Sequence, residues 1–491
     1  MNYPKSKTLS KSRIMRGLQC EKSLYLTVFK PELEAKADAA TQARFDEGNK
    51  IGVFAQKKFP DGVLIDAEYW DTDKSIYLTQ EAIKAGKNTL FEATFKFENF
   101  TARIDILTRK NANSPWHVIE VKSSTKVKDE HITDVAIQSW VLRNAGFKAD
   151  KFSLMHIDNA CIAPDLDKLF NIENITKPVE LAIYNIEKTI TPLKQIIENA
   201  IEPKKEIGPH CYSPYECPFV SECWKHIPTP SVFDIPAIGQ RAWEFYSKGI
   251  FEIDKLKLSD FKNKQQKAVE VLQTKKRWVD VQNIKTSLKE WEYPLYFLDF
   301  ETIGSALPLY DGTSPYQQVP FQFSCHILTT DNKLTHFEYL HKDSSDPRDE
   351  FAKALVNGVG EKGSIVAYNK AFEAGVMRDL ADDFPKYSKA LEDFASRLVD
   401  PLPIFRNSVY DPAFLGSFGI KSVAPAIIGE KLSYKNLEVQ HGEQAQQAFM
   451  KMAFGTLKQE EKEKLYHSLV AYCRQDTLAM VELVQWLSKI N

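Results

Sequence analysis

Apolar and polar positions alternate along FEATFKFENFTARIDILTRK (91–110) and again along WHVIEVKSS (116–124). This is the two-residue period of strands with one face turned inward. Helical spacing runs over 41–59 (TQARFDEGNKIGVFAQKKF), over 131–146 (HITDVAIQSWVLRNAG), where Gly146 predicts a C-cap, and over about 177–203. The segment GPHCYSPYECPFVSECW (208–224) fits neither period, and the Pro-rich HIPTPSVFDIPAI (226–238) reads as a boundary. Residues 240–291 are Lys-rich and mostly helical in pattern, so they read as a connector. From Tyr293 strands reappear: YPLYFLDFETIG, PFQFSCHIL, THFEYLH and GSIVAYN, with helices between them and a long helix near 459–489. The pattern predicts α/β organisation twice, over 1–228 and 291–491, joined by a helical linker at 229–290.

Length and composition agree with that division. The chain has 491 residues, 43% hydrophobic and 26% charged, enough for more than one sizeable core. No apolar run approaches the roughly 18–20 residues of a membrane span. The N-terminal MNYPKSKTLSKSRIMRGLQC lacks the apolar region of a secretory signal. The expected setting is cytoplasmic, without a membrane partner. A net charge of -2 argues against a histone-like polyanion binder. Seven cysteines in such a chain point to metal binding or buried thiols, not a disulfide framework.

Three constellations carry candidate chemistry. In the first, Glu120 and Lys122 stand two apart on one strand face, and Asp105 lies on the preceding strand. Two carboxylates and an ammonium suit Mg²⁺ or Mn²⁺ and activation of water. Gln138, on the following helix, would steady the lysine or contact a substrate backbone. An exposed charged strand face is the plainer alternative. In the second, Cys211, Cys217 and Cys223 follow a C-x5-C-x5-C spacing and, with Cys20, offer four thiolates. These suit a [4Fe–4S] cluster or zinc, and the five-residue gaps favour the cluster. Cys161, Cys325 and Cys473 read as buried small hydrophobes. In the third, Asp299 and Glu301 lie on an apolar strand, Glu373 opens a helix, and Tyr472 and Asp476 share a helix face. Carboxylates with apolar flanks suit two-metal phosphodiester hydrolysis, with the phenol holding the water. Asp400 reads as a turn or supporting group.

On these residues, 8–226 resembles the RecB-like PD-(D/E)XK nucleases that carry an iron–sulfur cluster. Residues 293–490 resemble the DEDD exonucleases of the ribonuclease H-like superfamily in their Y-x3-D variant. In the first family a helical motif offers a histidine after a glycine; here EGNKIG has Gly52, and Glu47 is the substitute metal ligand. The tyrosine four residues after the motif glutamine is Leu142, and the middle DEDD aspartate is Glu373. The order of the two halves is similar to a bacterial fusion family.

The resemblance implies a restriction-endonuclease-like α/β domain with a four-cysteine iron–sulfur clasp, followed by a mixed-sheet ribonuclease H-like domain. It implies a metal-dependent nuclease acting on single-stranded DNA or DNA ends, with a 3′–5′ centre in the second half. Asp105, Glu120, Asp299, Glu301, Glu373 and Asp476 would be its metal ligands. RNA exonuclease activity is the first alternative. The second is a nucleic-acid-binding or assembly module in which the N-terminal half has lost catalysis. No helicase, repair or defence partner is identified. Arg13, Arg16 and KSSTKVK (122–128) would line a phosphate path, and the basic stretch 262–278 reads as a solvated helix face.

Overall fold

The structure is a computed structural model that describes residues 7–490. The chain forms two compact α/β units. One runs to His226 and takes in Ser305–Tyr316; the other comprises Ile227–Gly304 and the chain from Gln317 onward. Among the described residues no helix is long and apolar enough to cross a membrane.

The first unit contains β1 (Leu9–Ser10), α1 (Lys11–Gln19), α2 (Glu21–Phe29), α3 (Ala39–Gln56), β2 (Val63–Leu64), α4 (Thr72–Lys84), β3 (Thr89–Phe97) and β4 (Phe100–Thr108). It continues with β5 (Trp116–Lys122), α5 (Asp129–Asn144), β6 (Ala149–Ile157), β7 (Phe170–Asn174), α6 (Thr176–Asn199) and the single turn α7 (Val220–Cys223). The sheet order is β2-β3-β4-β5-β6-β7, with β1 beside β4. Strands β3, β4 and β5 are antiparallel neighbours, whereas β5 and β6 run parallel. Helix α5 lies across β3 and β4. Its Trp140 meets Phe97 and Phe100 edge-on at 5.3 and 5.2 Å, and Val135 through Leu142 are buried. Leu142 is therefore a core residue. Burying a side chain of that size contributes about 1.5–3 kcal/mol.

The second unit contains α8 (Gln240–Ser247), α9 (Asn263–Thr274), β8 (Trp278–Val279), α10 (Val281–Leu288), β9 (Leu295–Ile303), β10 (Val319–Leu328), β11 (Leu334–Leu340) and α11 (Arg348–Gly358). Next come β12 (Ile365–Val366), α12 (Ala371–Asp383), α13 (Pro385–Ser396), β13 (Leu398–Val399), α14 (Leu402–Ser408), β14 (Val409–Tyr410), α15 (Ile420–Ile428), α16 (Gly442–Phe454) and α17 (Gln459–Lys489). The main sheet is mixed, ordered β11-β10-β9-β12-β13, with β10 antiparallel to both neighbours and β12 parallel to β9.

The stretch 229–290, expected to be a linker, instead forms part of this unit's core. Val232, Ile235, Ile253, Leu256, Val269 and Leu272 pack in one cluster with Phe405, Phe414 and Leu483. Helix α9 buries Ala268, Val269, Val271 and Leu272, leaving its lysines on the outer face. A connector with that many large apolar residues gains too much by burial to stay solvated.

Strand β9 sets the geometry of the unit. Tyr296, Leu298 and Phe300 join the cluster formed by α11, α12 and α13. Leu295 and Phe297 face the other way, onto Met480, Val481 and Val484 of α17. The start of β12 lies close beside the start of β9. At Gly363 (φ +95°) a Cβ would fall 2.1 Å from the Pro294 carbonyl oxygen. Gly363→Ala is expected to destabilise the protein by about 1–3 kcal/mol, read as a lower melting temperature; an unchanged value would mean that this junction yields without cost.

Candidate functional site

The period of β9 and that of α17 bring the third constellation together. Asp299 and Glu301 continue the face of Leu295 and Phe297, while Asp476 and Tyr472 lie one and two turns before Met480. One carboxylate oxygen each from Asp299, Glu301 and Asp476 lies within 4.8 Å of the others. A register shift between Pro320 and Gln322 on β10 falls opposite the end of this pair, and such bulges re-aim side chains.

Glu373, in the first turn of α12, is 3% exposed, and its Oε2 has no hydrogen-bond partner. Its charge acts on both Asp299 and Glu301. Asp400 accepts bonds from the backbone N–H groups of Asn369, Lys370 and Leu402 at 3.1, 3.2 and 2.8 Å. It is a turn group that holds the entry to α12.

Two residues not singled out in the sequence complete the site. Tyr434 donates its hydroxyl proton to Asp476 Oδ1 at 2.5 Å. Lys421 Nζ donates to Tyr472 Oη at 2.9 Å and to the Gln440 carbonyl at 2.7 Å. Cys473 is buried, as expected of a small hydrophobe, and also donates from Sγ to Asp299 Oδ2 at 3.6 Å.

Electrostatically the group is loaded. Burial raises Asp299 well above the usual carboxylate range, and the charges of Asp476, Glu301 and Glu373 add to it. Burial pushes Glu301 up to about 8, reinforced by Asp476 and opposed by Lys421. Burial likewise pushes Glu373 up to about 8. A buried, mutually repelling carboxylate set with an unbonded oxygen is the donor set a hard divalent cation takes; these residues fit such an ion.

A pH dependence follows from these shifts. An unfolded glutamate titrates near 4.5, the folded Glu301 near 8. Between these values the folded protein holds a proton that the unfolded chain has released, so this contribution to stability falls as pH rises through the window. In chelator, the melting temperature of the wild type is expected to fall relative to Glu301→Gln between about pH 5 and pH 8.5. Parallel pH curves for the two proteins would contradict the buried-carboxylate account.

In the first constellation Glu120 already has cations, whereas Asp105, among the described residues, does not. Glu120, 1% exposed, accepts from Lys122 Nζ at 2.5 Å and Lys11 Nζ at 2.9 Å on Oε1, and from Gln138 Nε2 at 2.5 Å on Oε2. Lys122 also reaches Asp134 Oδ2 at 2.7 Å, and Lys11 reaches it at 3.3 Å. Asp105 Oδ2 accepts the Val121 backbone N–H at 2.8 Å. On β3, Glu92, at φ +59°, lies between Phe91 and Ala93, which pair with Ile106 and Ile104, and its charge acts on Asp105.

Burial opposes ionisation of Glu120, yet the two lysines hold it well below the usual range. Burial, with Glu120 beside it, raises Asp105 well above that range. Glu47 is engaged elsewhere: its Oε1 accepts the Ala306 N–H at 2.7 Å and the Ser305 hydroxyl at 3.3 Å. With both Glu120 oxygens bonded and Glu47 occupied, this arrangement does not fit the expected divalent ion. Lys11, Asp134 and Glu92 were not identified from the sequence. Asp134 lies four residues before Gln138 on α5, the one spacing that could have singled it out.

Arg16 is bonded to Glu34 Oε1 and to Thr27 Oγ1, both at 2.7 Å, and Arg13 to the Thr8 carbonyl at 2.7 Å. The internal partners of both arginines compete with the expected phosphate contacts.

The four cysteines meet around one cavity, lined by Cys20, Cys211, Cys217 and Cys223 with Phe219 and Ile207 among its walls. Cys20 stands at the junction of α1 and α2. The Cys217 N–H donates to the Cys211 carbonyl at 2.8 Å. All four are free thiols, and burial raises Cys20 and Cys223, with the neighbouring cysteines adding. Four unpaired thiols around one cavity fit a thiolate-ligated group.

Residues 296–419 match a family described as a domain of unknown function, DUF2779. That span contains Asp299, Glu301 and Glu373 but not Lys421, Tyr434, Tyr472 or Asp476. The chain is similar to the uncharacterized protein UU173 of Ureaplasma parvum serovar 3, with 27% identity over 214 residues, 40% of this chain and 31% of that one. It is 24% identical over 214 residues to the uncharacterized protein MG366 of Mycoplasma genitalium, covering 40% and 32% of the two chains. The MG366 homolog of Mycoplasma pneumoniae is 28% identical over 214 residues, with 39% and 32% covered. The chain thus spans about a third of the length of these relatives.

Proposed function

We propose that the protein is a divalent-metal-dependent nuclease whose hydrolytic centre is the Asp299–Glu301–Asp476 group, with Glu373 as a further ligand. The observation that carries this reading is the convergence of three carboxylates within 4.8 Å, Glu301 and Asp476 buried and Asp299 half-buried. The mixed sheet and the resemblance of 293–490 to DEDD exonucleases support a ribonuclease H-like unit that removes nucleotides from a 3′ end. Bound Mg²⁺ or Mn²⁺ would supply Lewis-acid activation of water and screening of phosphate charge. Tyr472 is held neutral, its ionisation opposed by burial and by Asp476. Its oxygen accepts from Lys421, which leaves the phenol proton to be donated into the site. The phenol thus orients an oxygen and does not remove a proton.

For the first unit we propose a RecB-like PD-(D/E)XK fold whose four cysteines hold a [4Fe–4S] cluster of structural role. The cation-filled surroundings of Glu120 favour a strand-binding part for this unit over a second cleavage centre.

The test is incubation of air-free protein with 5′-labelled single-stranded DNA and RNA of one sequence, in Mg²⁺ or Mn²⁺. A ladder shortening from the 3′ end of DNA is the expected result. Preference for RNA would change the substrate, because a 2′-hydroxyl is read by contacts outside the carboxylate group. Stable binding without shortening of either polymer would overturn the hydrolytic reading.

A further inference from the structure

We infer that Lys11 is a built-in counter-ion of the first unit, occupying at Glu120 and Asp134 the place a divalent cation would otherwise take. Three observations carry this. Lys11 leaves the first turn of α1, directly after β1, which pairs with β4 at Leu9↔Phe100 and Ser10↔Thr101. That pairing fixes the base of the side chain at the sheet that also carries Asp105. Its Nζ then lies 2.9 Å from Glu120 Oε1 and 3.2 Å from Asp134 Oδ1, so one ammonium bridges two carboxylates from different elements. Finally, Lys122 bridges the same two carboxylates, at 2.5 and 2.7 Å.

The result is a closed ring of two ammonium and two carboxylate groups, locally neutral. Gln138 takes the remaining Glu120 oxygen. A catalytic E-x-K lysine needs only one ammonium near the glutamate. The second, from Lys11, supplies the charge and the hydrogen bonds that a cation ligated by the same oxygens would supply, without requiring an ion from solution. Removing a lysine from such a buried pair leaves an uncompensated carboxylate, and that carboxylate becomes available as a metal ligand. Lys11 is in these terms a positioning residue that sets the cation preference of the unit.

The experiment measures Mn²⁺ binding by electron paramagnetic resonance on the full chain carrying Asp299→Asn and Glu301→Gln, which disable the second-unit carboxylate group. With Lys11 intact, this protein is expected to hold Mn²⁺ weakly. Adding Lys11→Met is expected to create one Mn²⁺ site at least about tenfold tighter. Further addition of Glu120→Gln is expected to erase it, and Lys11→Arg, which keeps the charge, is expected not to create it. Circular dichroism of each variant establishes that it is folded. A folded Lys11→Met protein with no gain in Mn²⁺ affinity would overturn the inference. So would a tight Mn²⁺ site that is already present with Lys11 intact and is lost on Glu120→Gln; this arm needs no Lys11 variant to fold. Because the readout is ion binding and not cleavage, a failure here is distinguishable from a failure of the nuclease reading on which the role of this unit rests.

Discussion

Asp299→Asn is expected to lower the rate of 3′-end shortening by about 10²–10³-fold or more while leaving the protein at least as stable in chelator. The two effects have one cause. Asp299 lies among Glu301, Glu373 and Asp476, each of which makes its ionisation harder. Replacing it by a neutral amide of the same shape relieves that repulsion and removes one anionic oxygen from the set proposed to hold the metal. Single-turnover assays on 5′-labelled DNA give the rate, and melting curves at pH 8 in chelator give the stability. A variant that loses activity by unfolding would show both quantities falling together. Retained shortening would remove Asp299, and with it the β9–α17 group, from the hydrolytic account.

Cys20→Ser is expected to abolish visible absorbance and bound iron, and to open the 204–224 segment to proteases. That segment has little regular structure. Its regular elements are a three-residue turn at Pro209–Cys211 and a four-residue helix at Val220–Cys223. The Gln19 amide ties it to α1 through the carbonyls of His210 and Tyr215, at 2.7 and 2.6 Å. The Ala35 N–H adds a bond to the Pro218 carbonyl at 3.0 Å, the Cys217 thiol adds one to Ser23 Oγ at 3.4 Å, and Phe219 is buried; the proposed thiolate-bound group would supply the rest of the attachment. A protease cleavage rate about tenfold higher corresponds to ~1.4 kcal/mol of added local opening. Metal analysis of the wild type decides the cofactor: iron with inorganic sulfide supports the cluster, and zinc would replace it. Unchanged metal content and proteolysis in Cys20→Ser would remove Cys20 from the clasp.

The sequence was most legible where periodicity and chemistry coincide. Helices α5 and α17 and strands β4, β5, β9 and β10 follow patterns in which apolar positions repeat at the period of the element. Asp299 and Glu301 stand out because carboxylates with apolar flanks are rare, and Asp476 because it shares a helix face with Tyr472. Lys421, Tyr434, Lys11 and Asp134 did not stand out, because each is an ordinary polar residue locally. Only tertiary packing brings Lys421 to Tyr472 across a separation of 51 residues, or Lys11 to Glu120 across 109. Glu47 failed for the converse reason: its position in a helix suited a ligand, but the folded chain gives its carboxylate two hydrogen-bond donors at Ser305 and Ala306. The stretch 229–290 reads as a linker because its Lys-rich composition hides an apolar face. Residues such as Val269 and Leu272 are spaced among lysines at a helical interval and pack inward while the lysines remain on the outer face.

The connection between β9 and β10 has a consequence for how such a chain can be inherited. After Gly304 the backbone departs from the unit that contains β9, and it returns at Gln317 to begin β10. In between, Ala306 is buried with Ile51, Ile157, Cys161 and Leu169, and the backbones of Ala163 and Gly312–Thr313 bond to each other. A recombination break near residue 228 would therefore hand one descendant a first unit lacking twelve residues of its own fabric. The other descendant would carry a strand connection whose natural surroundings were gone. A clean exchange of either half needs three junctions in place of one. Selection acting on genes thus meets the two α/β units as a single heritable piece, although each has its own sheet and its own core.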